Sequence, residues 1–396
     1  MIPAIRSAYN AAFTKEKYLN FLKELDAHYP GVIDFRLAET PVFVPKDFTE
    51  KILSACEYII DFMLDDSFQE LTADAVPAAE KVPGAEKFPQ MMCFDFGICR
   101  NPNGSLEPQL IEMQGFPTMY GFQAFFPEIM RRHFTIPNNF SHYFNGYTKD
   151  TYLTMLRQLV LGNHSAENVI LLEWKPEQQK TLIDFLCTRD YLGIEPVCLT
   201  QLIAEGDQLF YPKAGNKIPV HRIYNRIIFD ELAHQLNGEK VIDLTQPYNV
   251  EWVTHPNWFY RLSKYTLPFL RHPYIPETYF LHELKMLPGD LSQFVLKPLF
   301  SFAGQGVVID VTKEDIEKIE NPEAFILQRK VDYAAVIETP DEPAKAEIRI
   351  MYVWPEGDTR PHAATNLTRL SKGKMIGVRY NKDREWVGGT VSFFEQ

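Results

Sequence analysis

The chain has 396 residues, of which 52 are acidic and 40 basic, giving a formal net charge of −12. That balance argues against a sequence-independent nucleic-acid binder, which needs a basic stripe. A hydrophobic content of 45% and an aromatic content of 13% argue against disorder, and the length is room for two or three domains. The five cysteines, Cys56, Cys93, Cys99, Cys187 and Cys198, are odd in number and lack zinc-site spacing, so they read as reduced thiols. The start lacks a basic region followed by an apolar run, and no run approaches the roughly 20 apolar residues of a membrane helix. The expectation is a cytoplasmic protein with no membrane and no nucleic-acid partner. Its oligomeric state is not legible.

Residues 1–90 read as mostly helical. Lys15–His28 and 47–65 carry apolar residues at helical spacing, with Ile52, Leu53, Cys56, Ile59, Ile60 and Met63 in the second. The stretch 74–89, rich in Ala, Pro and Glu, reads as an exposed loop. Two strand-like runs follow, 91–96 and 109–113, around the turn Asn101-Pro102-Asn103-Gly104, so a hairpin is predicted. Further on, an apolar strand at 169–172, a helix at 178–192 and a strand near 196–199 have the rhythm of a small parallel α/β domain. No Gly-rich dinucleotide fingerprint follows its first strand. From His255 onward the chain is strand-rich, with strands expected at 294–296, 307–310, 325–328 and 347–354.

One segment carries phosphate chemistry. Phe294-Val295-Leu296-Lys297 is a strand ending in a lysine. A small-residue loop with Ser301, Ala303, Gly304 and Gly306 follows, then more apolar residues. Small residues let backbone N–H groups approach a polyphosphate beside the ammonium. The plainer alternative is a hairpin with a glycine turn and a surface lysine. The loop leads to a strand, not a helix, so it is not a Walker loop.

The order of segments around it resembles the nucleotide-binding half of ATP-grasp enzymes. Lys264 precedes Pro276-Glu277-Thr278, Lys297 precedes the small-residue loop, and Gln328-Arg329-Lys330-Val331 follows as a hinge strand. The resemblance implies that Lys264 and Lys297 hold ATP phosphates and that Gln328, Arg329, Lys330 and Val331 hold adenine. Asp332 or Glu338 would reach the ribose. Such chains ordinarily continue into a hairpin with a metal-binding Asp and a Glu-x-Asn. Here Asp95 and Glu112-Met113-Gln114 stand near the start instead. The order therefore resembles the circularly permuted family of glutathionylspermidine synthase and its relatives. By that resemblance Asp95, Glu112 and Gln114 bind Mg²⁺, which needs hard oxygen ligands. Two departures stand out: Gln114 replaces the usual Asn, and Cys93 replaces an Arg that serves phosphate transfer. Alone, the two carboxylates would read as a solvated hairpin. Their setting in apolar strands argues for a partner, a metal being the simplest.

The fold class implied is α/β (α+β), with a permuted ATP-grasp core and a small parallel α/β domain. The units are 1–150, a helical region plus the metal hairpin; 151–254, the small domain; and 255–396, the nucleotide half. The function implied is ATP- and Mg²⁺-dependent ligation of a small-molecule carboxylate to an amine through an acyl phosphate. Arg349 and Arg369 alternate out of apolar strands and suit a phosphate or carboxylate clamp, and Arg226 a substrate carboxylate. Each also reads as an ordinary surface charge. Two alternatives remain open: a non-catalytic nucleotide-binding sensor or scaffold, favoured by Cys93 and Gln114, and a kinase of a small acceptor. His255, His272, His282 and His362 are scattered and give no zinc pattern, and no Gly-x-Ser-x-Gly elbow occurs.

Overall fold

A computed structural model describes every residue except 237, 301–304, 374–375, 377–380 and 382. The N-terminal region forms helices α1 (Pro3–Ala12) and α2 (Lys15–His28), strand β1 (Val42–Val44), and helices α3 (Lys46–Leu64) and α4 (Ser67–Leu71). Thr14 caps α2 by accepting from the Lys17 amide at 3.2 Å. Residues 74–89 hold two short 3₁₀ turns and are otherwise irregular, although Val76 and Val82 are buried.

The predicted hairpin is present as β2 (Met91–Arg100) and β3 (Leu106–Gln114), paired antiparallel. Asn101 builds its turn: its side chain accepts from the Asn103 and Ser105 amides at 3.1 and 3.0 Å, and Gly104 supplies φ +86°. Helix α5 (Phe126–His133), strand β4 (Phe140–Ser141) and helix α6 (Lys149–Leu161) follow.

The middle of the chain forms a four-stranded parallel sheet in the order β11-β10-β5-β6. It comprises β5 (Val169–Glu173), helix α7 (Leu182–Leu192), β6 (Glu195–Cys198), an antiparallel meander of β7 (Ile203–Glu205), β8 (Gln208–Lys213) and β9 (Asn216–Val220), then β10 (Arg222–Asn225), helix α8 (Phe229–Gln235) and β11 (Glu251–Val253). The expected strand–helix–strand rhythm is there. The helix starts at Leu182, not 178, because Gln179 is extended and its side chain donates to the Trp174 carbonyl at 2.7 Å. The meander had no sequence forecast.

Helix α9 (Asn257–Arg261) opens the last region, with β12 (Thr278–Phe280), β13 (Phe294–Pro298), α10 (Lys313–Glu317), β14 (Phe325–Arg329), β15 (Lys345–Val353), β16 (His362–Ser371), β17 (Gly388–Thr390) and β18 (Ser392–Glu395). Strands β12-β14-β13 form one antiparallel sheet. The strand expected at 307–310 is only a single bridge, in which Val308 exchanges two 2.9 Å bonds with Leu296.

The central element is a five-stranded antiparallel sheet, β17-β16-β15-β2-β3. The hairpin near the start and the strands near the end thus share one sheet. Period-two alternation gives that sheet two faces. Met92, Phe94 and Phe96 on β2, with Ile348 and Ile350 on β15, pack in one core with Ile52 and Ile59 of α3. The other face starts apolar, where Met91, Cys93, Met351 and Val353 pack with Tyr120, Tyr152 and β5. Further along β2 and β15 the same face carries Asp95, Glu347 and Arg349. Strand β18 pairs parallel with β1 and antiparallel with β4. Among the described residues no helix is long and apolar enough to cross a membrane.

Candidate active site

Strand register places the charges. Asp95 lies opposite Glu112 on one side and Arg349 on the other, and Glu347 lies opposite Arg369. Arg349 donates to both Asp95 oxygens at 2.6 Å, and Arg369 adds a third bond to Oδ2 at 2.6 Å. Arg369 also meets Glu347 at 2.7 Å, and Arg349 lies 3.7 Å from Glu112. Tyr333 donates to the other Glu347 oxygen at 2.7 Å. Asp95 is 1% exposed, so this is a buried fork-on-carboxylate pair, the geometry in which guanidinium groups bind most specifically.

Burial alone would raise Asp95, but Arg349 and then Arg369 hold its carboxyl below the usual carboxylate range. Burial raises Glu347, with Arg369 opposing and Asp95 reinforcing the shift. Burial would lower Arg349, but the Asp95 carboxylate keeps it firmly charged.

Lys297, next to last in β13, faces this row. Its ammonium donates to the Ile111 carbonyl at 3.1 Å and the Gln328 amide oxygen at 2.5 Å. Burial pushes it down to about 8; Glu112 opposes and Lys264 adds to the shift. Lys264 is 8% exposed, and burial lowers it while Glu112 and Asp230 act the other way. Gly115 joins this lysine's segment to β3. Its amide donates to the Leu262 carbonyl at 2.8 Å, and a Cβ there would lie 2.4 Å from the Trp258 carbonyl oxygen.

The donor set for a hard cation is narrower than the sequence suggested. Gln114 donates to Glu112 at 3.0 Å through its amide nitrogen, while its amide oxygen is buried without a hydrogen-bond partner. Glu112 and Gln114 therefore present a carboxylate and an orphaned acceptor side by side, and these suit Mg²⁺, which takes few protein ligands and keeps waters. Asp95 does not present itself: its oxygens are engaged by two guanidinium groups. No cluster of three or more His, Cys, Asp or Glu side chains suited to a metal occurs among the described residues.

The other predicted residues fall as follows. Ser301, Ala303 and Gly304 lie outside the described residues. Gly306, at φ +71°, turns the chain back on Pro298, whose Cγ would lie 2.8 Å from an added Cβ. Gln328 is buried beside Lys297 with its amide nitrogen unpartnered. Arg329 is exposed, Lys330 pairs with Asp310 at 3.1 Å, and Val331 is half-buried. Asp332 and Glu338 are exposed, and the Glu338 carbonyl receives a bond from Asn10 of α1. Arg226 is no surface charge. It is 4% exposed and bonds Asp184 of α7, with its guanidinium 5.9 Å from the Phe116 ring. Cys93 is buried against the Tyr120 hydroxyl, and burial pushes its thiol up to about 12.

Sequence reading missed Glu347, Tyr333 and Asp184. Glu347 had a signal, since it stands two residues from Arg349 and so shares its face. A cavity of about 380 Å³ opens elsewhere, between α2, α5, α6 and α7, lined by Tyr29, Phe125, Glu128, Lys149 and Tyr191 among others. It holds none of the charged row.

No family model matches the chain, and no curated protein matches it. Among solved structures, the chain is similar in fold to a glutathione synthetase-like effector (GSS30) from Globodera pallida in apo form. The TM-score is 0.59, the identity 12%, and the match covers 96% of each chain. The protein is thus a mixed α/β chain of glutathione synthetase-like fold. At this identity the likeness shows the fold alone.

Proposed function

We propose that the chain is an ATP- and Mg²⁺-dependent carboxylate–amine ligase built on a circularly permuted ATP-grasp core, acting in the cytoplasm. The observation that carries this reading is the Lys297 ammonium on the Ile111 carbonyl, one residue from Glu112. It sets the lysine of the late segment against the acidic hairpin of the early one. The sheet shared by residues 91–114 and 345–371 supports the permuted order, and the glutathione synthetase-like fold of the solved neighbour supports a ligase. In this reading residues 1–150 supply the metal hairpin, 151–254 specificity, and 255–396 the nucleotide half.

Each residue then has a task. Lys297 and Lys264 neutralise the phosphates, and the segment Gln328, Arg329, Lys330 and Val331 faces adenine. Glu112 and Gln114 would hold Mg²⁺, which would supply charge neutralisation to the transferring phosphoryl group. Asp95 positions Arg349 and Arg369, whose guanidinium groups would stabilise the charge of an acyl phosphate. Arg226, closed by Asp184, orders the strand end rather than clamping a free carboxylate. The test is incubation with ATP, Mg²⁺, pooled carboxylic acids and hydroxylamine. Hydroxamate with ADP release is the expected result, and ADP release without hydroxamate or amide supports the kinase reading. A second reading, a nucleotide-binding sensor, is favoured by the sealed Asp95 together with Cys93 and Gln114. Stabilisation by ATP with no turnover on any substrate would select it.

A further inference from the structure

The parallel sheet has a winding reversal. The chain leaves β5 for β6 on one side, and later β10 adds on the other side. Ligands of open parallel sheets lie outside the carboxyl ends of the strands at such a reversal. Glu173 is the last residue of β5, and Arg226 directly follows β10, its amide bonded to the Leu172 carbonyl at 3.0 Å.

Glu173 is 9% exposed, yet the only hydrogen bond to its carboxylate among the described residues is from the Trp174 amide to one oxygen, at 2.8 Å. The nearby cation, Arg226, directs one nitrogen to Asp184 and keeps its Nε buried without a hydrogen-bond partner, so no bond among the described residues joins it to Glu173. The other charged group facing Glu173 is Glu231 of α8, of the same sign. Asp230 acts in turn on Glu231, on Glu80 and, with opposite sign, on the Lys264 ammonium, and one Glu80 oxygen is buried without a partner. A nearly buried carboxylate with one oxygen outside any hydrogen bond, beside Glu231 at a sheet's ligand end, can take a further cation.

We propose that Glu173 receives the ammonium group of a primary-amine substrate and takes its proton, an assignment that rests on the ligase reading. An ammonium has no lone pair, so it must lose a proton before it attacks. One proton passes from nitrogen to the Glu173 carboxylate, leaving a neutral amine and a carboxylic acid. The nitrogen lone pair forms the C–N bond to the acyl carbon. The C–O bond to phosphate breaks, and its electron pair leaves with the phosphate, which accepts the second nitrogen proton. Burial, partly offset by Arg226 and reinforced by Glu231, raises Glu173 to about 7, a proton affinity suited to a base at neutral pH.

The experiment is calorimetric titration of the full chain, without ATP, with methylammonium, n-propylammonium and glycinamide, and with n-propanol as the uncharged control. At pH 8 the wild type is expected to bind at least one cation with Kd on the order of 1–10 mM and to ignore propanol. Glu173→Gln should weaken that binding tenfold or more, and Glu173→Asp should restore part of it. If Glu173→Gln fails to fold, the readout is the ¹³C titration of the Glu173 carboxyl in the wild type. Saturating amine should shift its midpoint down by about one pH unit. Absence of binding by all three cations, equal binding by Glu173→Gln, or an unmoved midpoint overturns the assignment. ADP release with acid alone is scored separately. Its loss with amine binding intact sinks the ligase reading, and the converse sinks only the role of Glu173.

Discussion

Asp95 and Arg349 stand 254 positions apart in the chain and lie directly opposite each other on neighbouring strands, joined by two 2.6 Å bonds. Removing one partner takes the two-bond contact from a buried charge, leaving Asp95 only Arg369 and Arg349 only the more distant Glu112 among the described residues. Arg349→Ala and Asp95→Ala should each cost about 3–5 kcal/mol, and the double variant should cost clearly less than their sum. Urea unfolding of the four proteins checks this. Additive losses would mean that the pair carries no coupling.

Glu173 should leave a mark on stability as a function of pH. Its carboxyl lies near 4.5 when unfolded and about 7 when folded, so between these values the native chain holds the extra proton. Stability conferred by that proton is full below the unfolded value and falls as pH rises towards the folded one, by about 3 kcal/mol in all. Glu173→Gln should flatten this part of the profile in urea melts taken from pH 4.5 to 8. An unchanged slope would mean that other groups set it.

If the ligase reading holds, Lys297→Ala should weaken ATP binding about tenfold or more, since it deletes a buried cation assigned to the phosphates. Glu112→Ala should remove ADP release while changing metal-free nucleotide affinity little. Fluorescence titration with and without Mg²⁺ separates the two effects. Equal losses in both titrations would place Glu112 on the nucleotide rather than the metal.

Gly115→Ala is the structural test of how the site is assembled. An added Cβ would press on a backbone carbonyl 2.4 Å away, which cannot rotate aside. A loss of about 1–3 kcal/mol is expected, with Mg²⁺ response lost beyond what stability explains. A melting temperature equal to wild type would show that the segments are not in tight register.

Much of the frame was legible because it obeyed local rules. The hairpin announced itself through Asn101 and Gly104, and α2 through its apolar spacing, while its Thr14 cap went unread. The pairing of β2 with β15 is not legible locally, because nothing in residues 91–100 names a partner so distant. For the site, residue types were readable and their states were not. Asp95 reads from sequence as an open ligand, whereas its register gives it to Arg349; Arg226 reads equally as a substrate clamp or a surface charge, whereas it is buried against Asp184 of α7. Glu173 gave no signal, since an acid ending a strand is ordinary until its burial is seen.

The shared sheet also dictates when this protein can exist during synthesis. Strand β2 is an interior strand whose neighbour β15 is made some 250 residues later, so while the chain emerges β2 has an unsatisfied edge. At ordinary translation rates that interval lasts tens of seconds, long for an apolar strand to wait unpaired. A fragment ending near residue 340 would carry the same open edge permanently and should collect in the insoluble fraction, while co-expressing residues 341–396 as a separate peptide should return part of it to solution.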